Sequence, residues 1–150
     1  MKKNKNFLRG ILIMTLLMMG LQLYAQKTVM QLNELPKEAQ TFINKHFKDY
    51  QLQYVTKKTK HYFVKKYEVY FQDRTKIEFD GEGNWKEVEG KINPITSGFI
   101  LPEIKNYIAK NFPTTQIIEI ERKTWKYEVK LSNRLELEFD TKGNFIKIDD

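Results

Sequence analysis

Two octets, EFDGEGNW over 78–85 and EFDTKGNF over 138–145, crowd acidic and amide side chains around a glycine. In the first, Asp80, Glu82 and Asn84 alternate as the opening ligands of a calcium-binding EF-hand loop do. The rest of that pattern is missing. Trp85 stands where the loop glycine belongs, Lys91 where the bidentate acid belongs, and Lys142 takes the middle ligand position of the second octet. Hairpin corners fit the same residues better: glycine supplies a positive φ, aspartate accepts main-chain N–H groups, and asparagine tolerates the left-handed region. A small-ligand or cation site at the Asp80 and Asp140 corners remains the alternative reading.

Acid–base chemistry would need paired carboxylates. Glu78 with Glu138, and Glu68 with Glu128, are available, but all four fall in the polar phase of alternating segments, where solvated charge is ordinary. His46 lies on an apolar stripe and reads as a half-buried structural histidine; His61 lies among lysines. Ser97 and Ser132 sit in no nucleophile motif, the histidines lack zinc-ligand spacing, cysteine is absent, and no glycine-rich phosphate loop occurs. The expectation is a protein without catalytic residues, metal or cofactor.

The elements that hold these residues begin after a leader. MKKNKNFLRG carries four cations and no acid, ILIMTLLMMG is apolar, and LQLYA ends on a small residue. That is the layout of a secretory signal peptide over 1–25, cleaved after Ala25, and its apolar run is too short for a membrane anchor. The formal charge of +7 falls to +3 once those four cations are removed, so the domain has little of the basic excess that nucleic-acid binding needs. No stable membrane insertion is expected after cleavage.

The remaining chain is written twice. At an offset of 60, residues 67–88 and 127–148 share nine identities in 22 positions, among them the Tyr-Glu-Val and Glu-Phe-Asp triplets and the Gly-Asn pair. Leu35-Pro36 and Leu101-Pro102 each precede an apolar stripe of helical period, Ala39, Phe42, Ile43, His46 and Phe47 in one case and Ile104, Tyr107, Ile108 and Phe112 in the other. Beyond each stripe the period becomes two, as in Tyr67, Val69 and Phe71 or Leu135, Leu137 and Phe139, which predicts strands with one face buried and one wet. The fold class is therefore α+β: a tandem repeat of two units, each one helix and four antiparallel strands. The first unit spans 26–90, a linker 91–100, and the second unit 101–150. The five residues by which 47–67 exceeds 112–127 are expected in a loop.

The polar phase, with Glu68, Tyr70, Lys76, Glu78 and Glu87 in one unit and Glu128, Lys130, Glu136, Glu138 and Lys147 in the other, predicts a mixed-charge sheet face. Trp85 and Phe145 fall on the same phase beside their turns, unless a bulge turns them inward. Tyr70, Asp73, Trp85 and Phe145 are the candidate protein-binding residues, and Trp85→Ala is expected to spare folding while weakening a partner.

Two copies of Leu-Pro, helix, then YEV and EFD..GN in an exported chain resemble the putative β-lactamase-inhibitor-like, PepSY-like family of secreted bacterial proteins, and LYAQ is similar to export junctions of Bacteroidetes. The resemblance implies one broad, curved antiparallel sheet with helices on one face. It also implies a non-catalytic periplasmic or secreted protein that binds an unknown exported protein, such as a peptidase it inhibits, through the sheet face and hairpin tips at 72–74 and 132–134.

Overall fold

The computed structural model describes residues 26–60, 63–91, 93–95 and 98–149. The leader at 1–25, His61 and Ser97 lie outside the described residues.

The described residues form an α+β fold of two helices and a nine-stranded antiparallel sheet. Strand β1 is Gln26–Met30, followed by a 3-10 turn at Leu32–Glu34 and helix α1 at Lys37–His46. Strands β2 (Leu52–Lys60), β3 (Phe63–Phe71), β4 (Lys76–Asp80) and β5 (Trp85–Glu89) follow. Helix α2, Pro102–Asn111, then leads into β6 (Ile117–Arg122), β7 (Lys126–Leu131), β8 (Glu136–Asp140) and β9 (Phe145–Asp149). The order in the sheet is the order in the chain, β1 to β9.

Two expectations are corrected. The eight strands counted from the sequence become nine, because QKTVM forms an edge strand along Val55–Thr59. Lys27, Thr28 and Val29 all face solvent, so no apolar alternation marks it. The extra residues between 47 and 67 do not form a loop either. They lengthen the β2–β3 hairpin, in which Lys58 pairs with Lys66 and Lys60 with Phe63, and this extension is what β1 pairs against.

Both helices cover one face. Helix α1 buries Ala39 and Ile43, and α2 buries Ile104 and Ile108, the i, i+4 spacing that a helix seated on a sheet requires. Beneath them runs an apolar row set by register, Ile77, Val88, Ile120, Val129 and Leu137, each at most 1% exposed. Burying each such side chain contributes about 1.5–3 kcal/mol. Within 91–100, Ile95, Phe99 and Ile100 join this core. Ile95 and Ile100 are buried, the Ile95 N–H donates to the Ile117 carbonyl at 2.8 Å, and the Phe99 ring lies 5.2 Å from Phe42 and 5.1 Å from Trp85. His46 packs 4.9 Å from Phe42 and 5.6 Å from Phe99, and burial lowers its pKa, in keeping with a structural role.

The paired octets are the β4–β5 and β8–β9 corners. Gly83 and Gly143 take φ of +92° and +86°. A Cβ on Gly83 would lie 2.6 Å from Cβ of Pro36, and one on Gly143 would lie 2.8 Å from Cβ of Glu103. Each glycine thus meets both a left-handed backbone and a corner pressed against the start of a helix.

Candidate functional site

Among the described residues no helix packs on the second face of the sheet. There the register brings together side chains that are far apart in sequence. Glu68 faces Glu78, Glu78 faces Glu87, Glu87 faces Glu121, Glu121 faces Glu128, and Glu128 faces Glu138. Six glutamates therefore form one row across six strands, ending on Thr56 at one side and Lys147 at the other.

Like charges directly opposite on a sheet destabilise it, and lysines from the neighbouring row relieve the repulsion. Lys66 bridges Glu68 at 2.9 Å and Glu78; Lys76 bridges Glu87 at 2.8 Å and Glu89 at 3.4 Å. Lys123 holds Glu128 at 2.7 Å, and Lys126 joins Glu128 at 2.7 Å to Glu138 at 2.5 Å. Lys27, reaching over from β1, holds Glu68 at 2.8 Å.

The electrostatics follow this wiring. Burial alone would raise the pKa of Glu68, which is only 9% exposed, but hydrogen bonds from Lys27 and Lys66 outweigh burial and hold it at about 2. Glu128 is lowered in the same way by Lys123 and Lys126 against burial. Glu119 moves up, first because burial disfavours its charge and then because Glu87 and Glu89 lie nearby; it has no ion pair among the described residues. Carboxylates held ionised by lysine, as Glu68 and Glu128 are, make poor general acids.

The four candidate residues do not form one patch. Tyr70 is on the open face, stacked on Tyr54 at 4.5 Å, with its hydroxyl donating to Glu68 at 3.1 Å. Asp73 sits in the β3–β4 turn, where its carboxylate accepts from the Thr75 N–H and hydroxyl, both at 2.9 Å. Trp85 and Phe145 are on the opposite, helix-covered face, which corrects their placement on the polar phase. The reason is a bulge in each hairpin: Glu78 pairs with Glu87 but Phe79 pairs with Trp85, and Glu138 pairs with Lys147 but Phe139 pairs with Phe145. The extra residue, Lys86 or Ile146, reverses the phase. Trp85 consequently stacks on Phe42 at 5.9 Å with the Arg122 guanidinium 4.9 Å above it, and Phe145 stacks on Tyr107 at 4.5 Å.

The Asp80 and Asp140 corners are poorly suited to a cation. Oδ1 of Asp80 accepts from the N–H groups of Glu82 at 3.0 Å and Asn84 at 2.9 Å, and the Asn84 amide reaches both carboxylate oxygens. Asp140 is held likewise by Lys142 and Asn144, and the Asn144 side chain and main chain lower its pKa. Lone pairs turned to N–H donors are not turned to a metal. Among the described residues no group of three or more His, Asp or Glu side chains is arranged to hold a metal ion.

The sequence reading missed Glu119, Glu121, Lys66, Lys123, Lys126 and the exposed Trp125. Glu119 and Glu121 were legible as the polar phase of β6, but their place opposite Glu89 and Glu87 depends on which strands become neighbours.

A family model described as "Putative beta-lactamase-inhibitor-like, PepSY-like" matches residues 65–147. A solved structure of a putative calcium-regulated periplasmic protein from Bacteroides thetaiotaomicron is 39% identical, with a TM-score of 0.77 over 83% of this chain and 97% of that one. Two putative periplasmic proteins from Bacteroides vulgatus are 38% and 31% identical, each with a TM-score of 0.75 over 83% of this chain and 98% and 100% of theirs. The second of these is described as of unknown function. A search of curated proteins finds no match.

Proposed function

This chain belongs to the putative β-lactamase-inhibitor-like, PepSY-like family, and from that premise we propose that it is a non-catalytic periplasmic module that binds another exported protein on its open sheet face. The observation that carries this reading is the glutamate row. Six carboxylates sit in register on a face that no described helix covers, each in a lysine-bridged lattice that fixes its position before any partner arrives. Preorganised charge of this kind sets partner choice and association rate. We read the chain as a duplicated unit, 26–90 and 101–150 joined by 91–100 behind a signal peptide at 1–25. Its binding surface is then the seam where the two halves meet, at Glu87 and Glu121. Inhibition of a peptidase or another periplasmic enzyme is the form of binding that the family's name favours.

Affinity capture from the periplasm of producing cells tests the reading, with Glu87→Lys/Glu121→Lys as the open-face variant. A specific partner should be retained by the wild type and lost by the variant. Identical retained proteins, or none, would refute it. Where the partner is an enzyme, its activity should fall on addition of purified wild-type protein.

The second reading, a cation-binding periplasmic protein, draws on the Bacteroides thetaiotaomicron neighbour, which is described as calcium-regulated. In this chain its sites would be the Asp80 and Asp140 corners, whose carboxylates would have to turn from the N–H groups they now accept, since among the described residues no three His, Asp or Glu side chains are already arranged to hold a metal ion. Thermal melting with and without millimolar-range calcium decides it: an unchanged midpoint ends this reading.

A further inference from the structure

We propose that the end of the sheet bearing the β2–β3 and β6–β7 hairpin tips is a peripheral docking surface for an anionic phospholipid membrane, distinct from the open face assigned above. The antiparallel order places these two tips, with the β4–β5 and β8–β9 corners between and beside them, at one end of the molecule.

Each tip carries an aromatic side chain turned to solvent: Phe63 is 71% exposed and Trp125 is 83% exposed. Of the other described aromatics near these corners, Trp85 and Phe145 are packed inward. Lysines flank both exposed rings in the sequence, Lys60 and Lys65 about Phe63 and Lys123 and Lys126 about Trp125. On the open face Lys27, Lys66, Lys76, Lys126 and Lys130 are all held by carboxylates. By contrast Lys58, Lys60 and Lys65, on the longer hairpin, have no ion pair among the described residues. Segments 57–60, 63–66, 80–84, 122–126 and 140–144 of this end hold nine cations and three acids; Lys66, Lys123 and Lys126 are held by carboxylates of the open face, and the remaining six cations still exceed the three acids by three. The first turns of the helices reach the same end, where Lys37 offsets Glu38 and Lys105 offsets Glu103.

The layout suits a plane better than a pocket. The two aromatics stand on tips about 19 Å apart, four strand spacings, and cannot share one cleft. The charges are lysines, point charges without the forked geometry that docks on a particular carboxylate. Aromatic rings at headgroup depth and lysines over anionic lipid are the ordinary components of peripheral membrane binding.

The test uses protein recovered from the periplasm of producing cells and sedimented with vesicles of phosphatidylglycerol and phosphatidylcholine, or of phosphatidylcholine alone. The protein should sediment with the anionic vesicles, be released by high salt, and stay in solution with the neutral ones. Lys58→Ala/Lys60→Ala/Lys65→Ala should weaken partition about a hundredfold, Phe63→Ala/Trp125→Ala should weaken it measurably, and Lys45→Ala/Lys110→Ala, at the far ends of the helices, should not. All three variants change solvent-facing side chains, and their melting curves confirm folding. Absence of wild-type sedimentation, equal partition to neutral vesicles, or a triple variant that partitions like wild type would overturn the proposal. Displacement by an acidic peptide, with the aromatic variant indistinguishable from wild type, would reassign the surface to an acidic protein and overturn it equally.

Discussion

Replacing Trp85 and Trp125 by alanine, one at a time, separates the two fates of tryptophan in this protein. Trp85 lies on the helix-covered face, partly buried against Phe42, Phe99 and Tyr127 at centroid distances of 5.9, 5.1 and 6.3 Å. Truncating a fully buried tryptophan costs about 3–5 kcal/mol, and partial burial brings this to about 2. The ring pairs add about 0.5–1 kcal/mol, and the Arg122 guanidinium at 4.9 Å, near the surface, adds about 0.5. The sum is about 3 kcal/mol, or a melting-temperature loss of about 10 °C for a domain of this size. Trp125 is 83% exposed and should cost less than about 0.5 kcal/mol. Differential scanning calorimetry on both variants reads the contrast. If Trp85→Ala melts within about 2 °C of Trp125→Ala, the bulge has not turned Trp85 inward and the packing described for it is wrong.

Three further outcomes follow from the wiring of the sheet. Glu68 has a folded pKa of about 2, below its unfolded value, so its contribution is complete above about pH 4.5 and is lost as pH falls toward 2. With allowance for solvent screening that contribution is about 2 kcal/mol, and chemical denaturation across this window should show a shallower acid loss in Glu68→Gln than in wild type. Glu119 is shifted in the opposite direction by burial and by Glu87 and Glu89, so its ionised form opposes folding; Glu119→Gln should raise the melting temperature at neutral pH and leave it unchanged well below pH 4. Gly83→Ala meets both φ of +92° and Pro36 Cβ at 2.6 Å, and should cost about 2 kcal/mol or more in urea unfolding, whereas alanine at Gly98, with open space around it, should cost little.

What the sequence disclosed, and what it withheld, divides along one physical line. Periodicity within an element was readable. Tyr67, Val69 and Phe71 marked β3, Ile77 and Phe79 marked β4, and Ile104, Tyr107 and Ile108 marked the buried side of α2, because each pattern repeats over neighbouring residues. Events that break the period were not. One inserted residue, Lys86, moves Trp85 from the polar phase to the aromatic core, and nothing in the octet distinguishes a bulged strand from a regular one. Strand β1 was lost because a short polar edge strand has no buried alternation to display. The glutamate row was half visible: its members read as polar-phase residues, but the facing of Glu87 and Glu121, 34 residues apart, is a property of register. The corners were legible as turns, while the reason for their glycines, the helix start pressed against each one, belongs to packing.

Because the spatial order of the strands is their order along the chain, each strand forms its first sheet contacts with one already made. A polypeptide emerging amino-terminus first from an export pore can therefore close β1 on β2, then β3, and so on, without holding an unpaired strand open for a partner still to come. Loop closures are short at every hairpin, which lowers the entropic barrier and favours rapid folding. The largest delay falls between β5 and β6, where the chain must pass through 91–100 and form α2 before Val88 finds Ile120. Until then β5 is an exposed sheet edge, and this pause is the point in biogenesis at which the half-made protein is most open to aggregation or to a chaperone.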